Sequence, residues 1–372
     1  MSQQTYFADN VETLADRVLR LQPRKILVVT GFSSYTQSGA KSLIDSLFGQ
    51  CNLVFFNNFS PNPKAEELTD ALALHRNTDI DLIVAIGGGS VIDMGKLIRY
   101  YINRDVDVVK SIQLNDAFPT QDVPLVTIPT TAGSGSEATH FAVVYIDGRK
   151  YSVSQKAILP NYVLLYPSLT YNAPPYLTAC SGADALCQAI ESYWSVQSTE
   201  TSRSYAKDAI LSLFEYLPQA VKNDINARNK VMFAANLAGR AINISFTTAA
   251  HAYSYGLTSY LDIPHGHAVS LTLPYFFHLN MMVSSENCND PRGVSFVKEK
   301  MSELSVLIGC TSKDAMVKLT AFFQQLFGKE NDEVKRKISD SLRDKFTSSV
   351  NLQRLQNNPV KITREDLDNI KF

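Results

Sequence analysis

The chain is predicted to be α/β, with an N-terminal domain built on an open parallel sheet and an all-helical C-terminal domain. Three observations predict this. Short β-branched runs alternate with helical spacing through the first half; the apolar run Leu82-Ile83-Val84-Ala85-Ile86 passes through Gly87-Gly88-Gly89 straight into a helix; and beyond Pro174-Pro175 strand signals fade. In order, Lys25 to Thr30 reads as a strand, the stretch after Ser38 as a helix, Asn52 to Phe56 as a strand and Glu66 to Asn77 as a helix. Asp81 to Ile86 is the third strand, followed by a helix into Tyr101, a strand from Pro124 to Ile128 and a hairpin around Ile146-Asp147-Gly148-Arg149. Asp184 to Ser195, Ser202 to Tyr216, Asn229 to Ala241 and Met301 to Leu307 have helical spacing, which puts the boundary near Tyr171 and gives domains 1–170 and 171–372. No internal repeat or low-complexity tract interrupts them.

Composition narrows the function classes. A chain of 372 residues is larger than one core usually serves, and 45% hydrophobic residues can fill two. Lys and Arg number 35 against 36 Asp and Glu, so no global basic field recruits nucleic acid, although a local patch can hold an anionic substrate. No uninterrupted apolar stretch is long enough to span a bilayer, and the polar start Met1-Ser2-Gln3-Gln4-Thr5 lacks a signal-peptide pattern, so a cytoplasmic setting without membrane contact is expected. Five cysteines with no CxxC pair argue against a disulfide framework or a cysteine zinc site and for reduced, packed thiols.

The glycine turn is a place to hold a phosphate. Glycines let the backbone approach an anion and take up positive φ, and the helix that starts near Ser90 presents N–H groups carrying partial positive charge. Further along, Asp184 and Gln188 lie four apart on one helix face, and His251 and His265 stand 14 residues apart. One carboxylate and two imidazoles suit a divalent cation.

Five more segments complete the pattern: Ile128-Pro129-Thr130-Thr131-Ala132-Gly133-Ser134-Gly135-Ser136-Glu137, Ser60-Pro61-Asn62-Pro63, Asp184 to Glu191, His251, and Pro264-His265-Gly266-His267. With the glycine turn and Asp93-x-x-Lys96, their order and spacing resembles the iron-containing (group III) alcohol dehydrogenases, whose fold is shared with glycerol dehydrogenase and dehydroquinate synthase. The match runs from about Lys25 to Pro274. Within the family, the stretches Ser136 to Tyr145 and Ala189 to Ser195 look most like the phosphonoacetaldehyde reductase branch.

The resemblance implies a Rossmann-like N-terminal domain and hydride transfer between NADP or NAD and a small aldehyde or alcohol, with Fe2+ or Zn2+ as Lewis acid and a homodimer as the assembly. It implies Asp184, His251 and His265 as metal ligands. Gln188 stands where the family usually has a histidine, and its amide could coordinate weakly, hold a ligating water or leave an open position. Many relatives carry a second histidine where this chain has Tyr255, so His267, Tyr255 or a water chain is the implied proton source. On the cofactor side it implies Gly88, Gly89 and Ser90 at the pyrophosphate, Thr130, Thr131 and Ser136 at the adenosine and phosphate edge, Asn62 at one ribose and Lys150 at the nicotinamide ribose. Asp93 joins this set, and Lys96 is expected to point toward phosphate or substrate, although an i,i+3 ion pair is the plain alternative. Gly31 replaces an aspartate of NAD-specific relatives, so with Ser33 and Ser34 as donors NADP becomes acceptable. A general C3–C4 alcohol dehydrogenase, a lyase of the dehydroquinate synthase kind and a non-catalytic dinucleotide sensor are the competing readings. Arg149, Lys156 and Arg240 are spare cations that the sequence does not place.

Overall fold

The computed structural model describes residues 3–75, 78–120, 122–350 and 352–370. The chain divides into two compact units, Met1–Ala173 and Pro174–Phe372. In the first, β1 (Gln4–Phe7), α1 (Val11–Leu19), β2 (Lys25–Thr30), α2 (Ser34–Gln37), α3 (Ala40–Phe48), β3 (Asn52–Phe56), α4 (Ala65–His75), β4 (Leu82–Gly87), α5 (Gly89–Tyr101), α6 (Val108–Leu114), β5 (Leu125–Pro129), β6 (Phe141–Ile146), β7 (Arg149–Ser154) and β8 (Tyr162–Leu165) follow one another. Six of the strands form a parallel sheet in the order β1-β8-β5-β4-β2-β3.

Both faces of that sheet are covered, which is why its central strands read as unbroken apolar runs. Side chains alternate between two cores. Leu27, Val29, Ile83 and Ala85 pack with α4 and α5, whereas Ile26, Val28, Leu82, Val84 and Ile86 pack with α1 and α3. The chain goes from β2 outward to β3, then crosses back to β4 on the other side of β2. The switch point therefore lies between β2 and β4, where doubly wound sheets open a crevice at their carboxyl ends. The expected hairpin is β6–β7, closed by Asp147 (φ 48°) and Gly148 (φ 73°), the pair of positive φ values that a tight two-residue turn requires.

The second unit is helical: α7 (Pro175–Trp194), α8 (Glu200–Val221), α9 (Ile225–Ser245), α10 (Ala249–Leu261), α11 (His265–Met281), α12 (Val294–Leu307), α13 (Ala315–Phe327), α14 (Lys329–Lys337), α15 (Asp340–Ser348), α16 (Leu352–Gln356) and α17 (Arg364–Asp368). The expected helix from Glu66 to Asn77 is α4, and its last expected residue, Asn77, lies outside the described residues. Among the described residues no helix is long and apolar enough to cross a membrane.

Candidate active site

The glycine turn joins β4 to α5 at the switch point. None of its three glycines has positive φ, contrary to the expectation for this turn. Space is what they provide. A Cβ on Gly87 would lie 2.5 Å from Val91 Cγ2 and one on Gly89 2.6 Å from Ser134 Oγ, so these two let strand, helix and the Thr131–Ser134 loop close together. Gly88 differs. A Cβ there would meet nothing nearer than Thr131 Oγ1 at 3.5 Å, so the protein's own packing leaves a side chain's worth of room above the turn. The N-cap of α5 is Gly88, which has no side chain to offer its first turn, and the combination fits a phosphate drawn to helix N–H groups.

Neighbouring strands bring the other expected cofactor residues to the same edge of the sheet. Thr130, after β5, donates its N–H to Gly87 O at 2.9 Å. Asn62, after β3, adopts φ 62° and donates its N–H to Ser90 Oγ at 3.1 Å. Gly31, Ser33 and Ser34 follow β2, with no acidic side chain among residues 31–34.

Lys96 departs from expectation. It is 0% exposed, and its three ammonium donors go to Ser136 Oγ (2.9 Å), Thr139 Oγ1 (3.0 Å) and Phe141 O (2.8 Å). Asp93, 3.9 Å from the same ammonium, accepts from the Ser136 hydroxyl and from Val143 N–H (3.0 Å). Burial pulls the Lys96 ammonium down to about 8 against the upward pull of Asp93, and raises the Asp93 carboxyl despite Lys96, Ser136, Val143 and Lys150. These residues tie α5 to β6 and to the segment just before it. Lys96 has no donor left for a phosphate or substrate, and the hydroxyl of Ser136 is spent on the same tie.

In the helical unit, Asp184 on α7, His251 on α10 and His265 on α11 converge, with one ligand atom from each lying within 4.8 Å of the others. His251 Nε2 is 3.3 Å from Asp184 Oδ1, and the two imidazoles meet edge-on with centroids 5.3 Å apart. The approach of α11 to α7 depends on Gly266, because a Cβ there would collide with the carbonyl of Cys180 and lie 2.9 Å from Asp184 Cβ. Gln188 is buried one turn along α7 from Asp184.

Glu191, 0% exposed, organises this cluster. Its carboxylate accepts from His251 Nδ1–H, from Thr248 Oγ1 (2.8 Å) and from Ala250 N–H (2.8 Å), so it orients the imidazole and holds the first turn of α10 at once. Trp194 Nε1–H holds Thr248 in turn at 2.8 Å. Burial alone would lower the His251 imidazole, but Glu191 and Asp184 outweigh it and push it up to about 9. Two carboxylates against one buried imidazole thus demand positive charge. Two imidazoles and a carboxylate, with the Nδ1–H of one histidine locked by a second carboxylate, form a donor set that fits a divalent ion with a coordination position left for substrate.

The turn that delivers α10 is strained. Phe246 sits at φ 58°, ψ 174°, a region almost reserved for glycine and worth on the order of 1–3 kcal/mol. Asn357 Nδ2 holds both flanks, donating to Ser245 O (2.8 Å) and Thr247 O (3.1 Å).

Of the expected proton sources, Tyr255 lies at the cluster and His267 does not. The Tyr255 ring stacks on His265 at 5.5 Å and 11°. His267 is 0% exposed, stacked on Phe327 at 4.1 Å, with Tyr176 OH at 3.0 Å from Nδ1 and Asn331 Oδ1 at 3.1 Å from Nε2. Asn331 donates its amide to Gln324, so its oxygen accepts from Nε2–H, and burial pulls the imidazole below its ordinary pKa against Asn331 and Glu330. This is a packing histidine.

Residues 2–167 match the family described as iron-containing alcohol dehydrogenase, and residues 178–371 match the Fe-containing alcohol dehydrogenase family, C-terminal. The chain belongs to the iron-containing alcohol dehydrogenases. It is therefore an oxidoreductase of the alcohol dehydrogenase class. A phosphonoacetaldehyde reductase of Streptomyces viridochromogenes is 32% identical over 96% of this chain and 91% of its own. Among solved structures, a sulfoacetaldehyde reductase of Bifidobacterium kashiwanohense in complex with NAD+ superposes with TM-score 0.84 at 28% identity, over 98% of this chain and 95% of its own. An alcohol dehydrogenase of Oenococcus oeni superposes with TM-score 0.86 at 27% identity, over 99% and 97%.

Glu191 and Gly266 were quoted in the sequence motifs without a role, although Asp184, Gln188 and Glu191 follow the i, i+4, i+7 spacing of one helix face, which places Glu191 beside the ligands.

Proposed function

We propose that this enzyme reduces a short aldehyde with NADPH or NADH, and that the aldehyde carries an anionic group, phosphonoacetaldehyde going to 2-hydroxyethylphosphonate being the specific case. The observation that carries the reading is the convergence of Asp184, His251 and His265 under the hold of Glu191. These three residues would hold a divalent iron or zinc ion, with the Gln188 amide beside them as a further donor or the anchor of a ligating water. When bound, the ion supplies Lewis-acid stabilisation for the oxygen that becomes an alkoxide as hydride reaches the carbonyl carbon. The residues of the chain do the rest. Gly88, Gly89 and Ser90 fix the pyrophosphate, with Thr130, Thr131 and Asn62 along the same sheet edge and Lys150 toward the nicotinamide ribose. Tyr255, stacked on His265, passes a proton to the product oxygen directly or through water.

Gly31, Ser33 and Ser34 favour NADPH, since no carboxylate stands there to repel a 2′-phosphate. Similarity to reductases named for phosphonoacetaldehyde and sulfoacetaldehyde supports an anionic two-carbon aldehyde. A cytoplasmic homodimer completes the proposal. The test is oxidation of NADPH and NADH by the metal-loaded enzyme with phosphonoacetaldehyde and with butyraldehyde. A kcat/KM far higher for the phosphonate is expected, because the fixed anionic end orients the carbonyl. Equal efficiency would leave a general alcohol dehydrogenase, and no oxidation with either aldehyde would overturn the substrate reading and point to a different alcohol or aldehyde as its substrate.

A further inference from the structure

We propose that Asn357 is a positioning residue for the metal ligand His251, acting by holding the strained turn at Phe246; this rests on the reading of Asp184, His251 and His265 as a metal site. The turn is short. α9 ends at Ser245 and α10 begins at Ala249, and His251 is the third residue of α10, so the direction of its imidazole follows from how residues 246–248 deliver that helix. Phe246 (φ 58°, ψ 174°) takes a backbone conformation that a side chain resists, and such a conformation persists only where its surroundings over-determine it.

Asn357 supplies that hold from both sides. Its Nδ2 donates to Ser245 O (2.8 Å) and to Thr247 O (3.1 Å), the carbonyls of the residues flanking Phe246. Its Oδ1 accepts from Ser195 Oγ (2.9 Å) and from Gln197 N–H (3.2 Å), just beyond the end of α7, and its backbone oxygen accepts from Val196 N–H (3.0 Å). The amide is buried and uses both donors and both acceptor positions, and a flipped amide would set its oxygen against two carbonyls, so it has one orientation. The same end of α7 grips the other side of the connection. Ser192 Oγ lies 2.7 Å from Ser245 Oγ, Trp194 Nε1–H holds Thr248, and Glu191 takes Thr248 Oγ1, Ala250 N–H and His251 Nδ1–H together. Released from Asn357, Phe246 would move to an ordinary conformation, which turns the adjoining peptide planes and with them the first turn of α10. Ala250 N–H and His251 Nδ1–H would then no longer meet Glu191 at once, and the imidazole would lose its direction toward Asp184 and His265.

The experiment measures Zn2+ affinity by chelator competition, and stability by urea titration, for the parent enzyme, Asn357→Ala, Phe246→Gly and the double variant. Asn357→Ala is expected to weaken Zn2+ binding roughly tenfold, as loss of a residue that orients a ligand does. Phe246→Gly is expected to leave the affinity within about threefold of the parent, because glycine adopts this conformation without strain. The double variant decides. With glycine at 246 the turn no longer needs to be held, so most of the affinity lost in Asn357→Ala should return although the bonds of Asn357 are still missing. Zn2+ affinity unchanged in Asn357→Ala, with only urea stability lowered, overturns the proposal and leaves Asn357 a structural tie. A loss that Phe246→Gly does not repair overturns it as well. If Asn357→Ala does not fold, Asn357→Asp, which keeps both acceptors and loses the two donors, takes its place, and a double variant that does not fold either puts the role of Asn357 outside the turn and overturns the proposal. A parent enzyme that binds no Zn2+ defeats the metal reading and this inference with it, whereas a parent that binds the ion no better than Asn357→Ala defeats this inference alone.

Discussion

The two units reach their chemistry by opposite means. In the first, the place for a ligand is made by leaving side chains out: Gly87 and Gly89 let elements close, Gly88 leaves room, and the strongest charges nearby, Asp93 and Lys96, are consumed in binding one part of the unit to another. In the second, it is made by pushing charge in: Asp184 and Glu191 crowd one buried imidazole until it needs a cation. The lesson is that a charged residue within a motif is not thereby a working residue. What matters is whether its hydrogen-bonding capacity is already spent.

The largest effect should come from emptying the second unit's cluster. Asp184→Ala is expected to remove the ion and lower kcat by roughly 1,000-fold or more, since several kcal/mol of charge stabilisation disappear, with the helical circular dichroism retained. Turnover near the parent rate would detach the cluster from catalysis. Lys96→Met probes the opposite assignment. Leaving Asp93 without its cation should lower unfolding stability by about 3 kcal/mol, while the properly folded fraction keeps kcat within a few fold. Urea titration separates the two, and a dead enzyme of unchanged stability would return Lys96 to the active site.

Glu191→Gln asks whether orientation of a ligand matters as much as its presence. The amide can still contact His251 but no longer carries the charge that raises it, so metal affinity should fall roughly 10- to 100-fold. Competition with a chelator measures this, and unaltered affinity would reduce Glu191 to a cap of α10. The smallest effect is expected at Gly31→Asp. A Cβ there would collide with Ser34 Oγ, the mobile tip of a side chain, so the chain can accept the change. Preference measured as a ratio of kcat/KM should move toward NADH by roughly tenfold, because a carboxylate then faces the 2′-phosphate. An unchanged ratio would mean that the end of β2 does not touch the adenosine ribose.

Much of this was legible before any coordinates. Strands β2, β4 and β5 announce themselves because both their faces are buried, and the ligands because helix spacing and residue chemistry agree. Strands β1 and β8 did not, being four residues each, with the polar Gln4-Thr5 in one of them; pairing, not pattern, makes them strands. Of the three proton sources the sequence leaves open, His267 is set aside by its own position. Two residues along a helix is a rotation of about 200°, so the neighbour of ligand His265 must face away from it. For Lys96 no such signal exists, since a long flexible stem can reach solvent or turn inward, and only the hydroxyls of Ser136 and Thr139 decide.

Titration of chelator-stripped enzyme with Fe2+ or Zn2+ in a calorimeter, beside the His265→Ala variant, reaches the heart of the comparison without depending on any substrate. The parent chain should take up one ion with release of protons, as the imidazole between Asp184 and Glu191 exchanges its proton for metal, and the variant should take up none in the same concentration range. Binding of equal strength by both proteins would contradict the assignment of the ion to Asp184, His251 and His265.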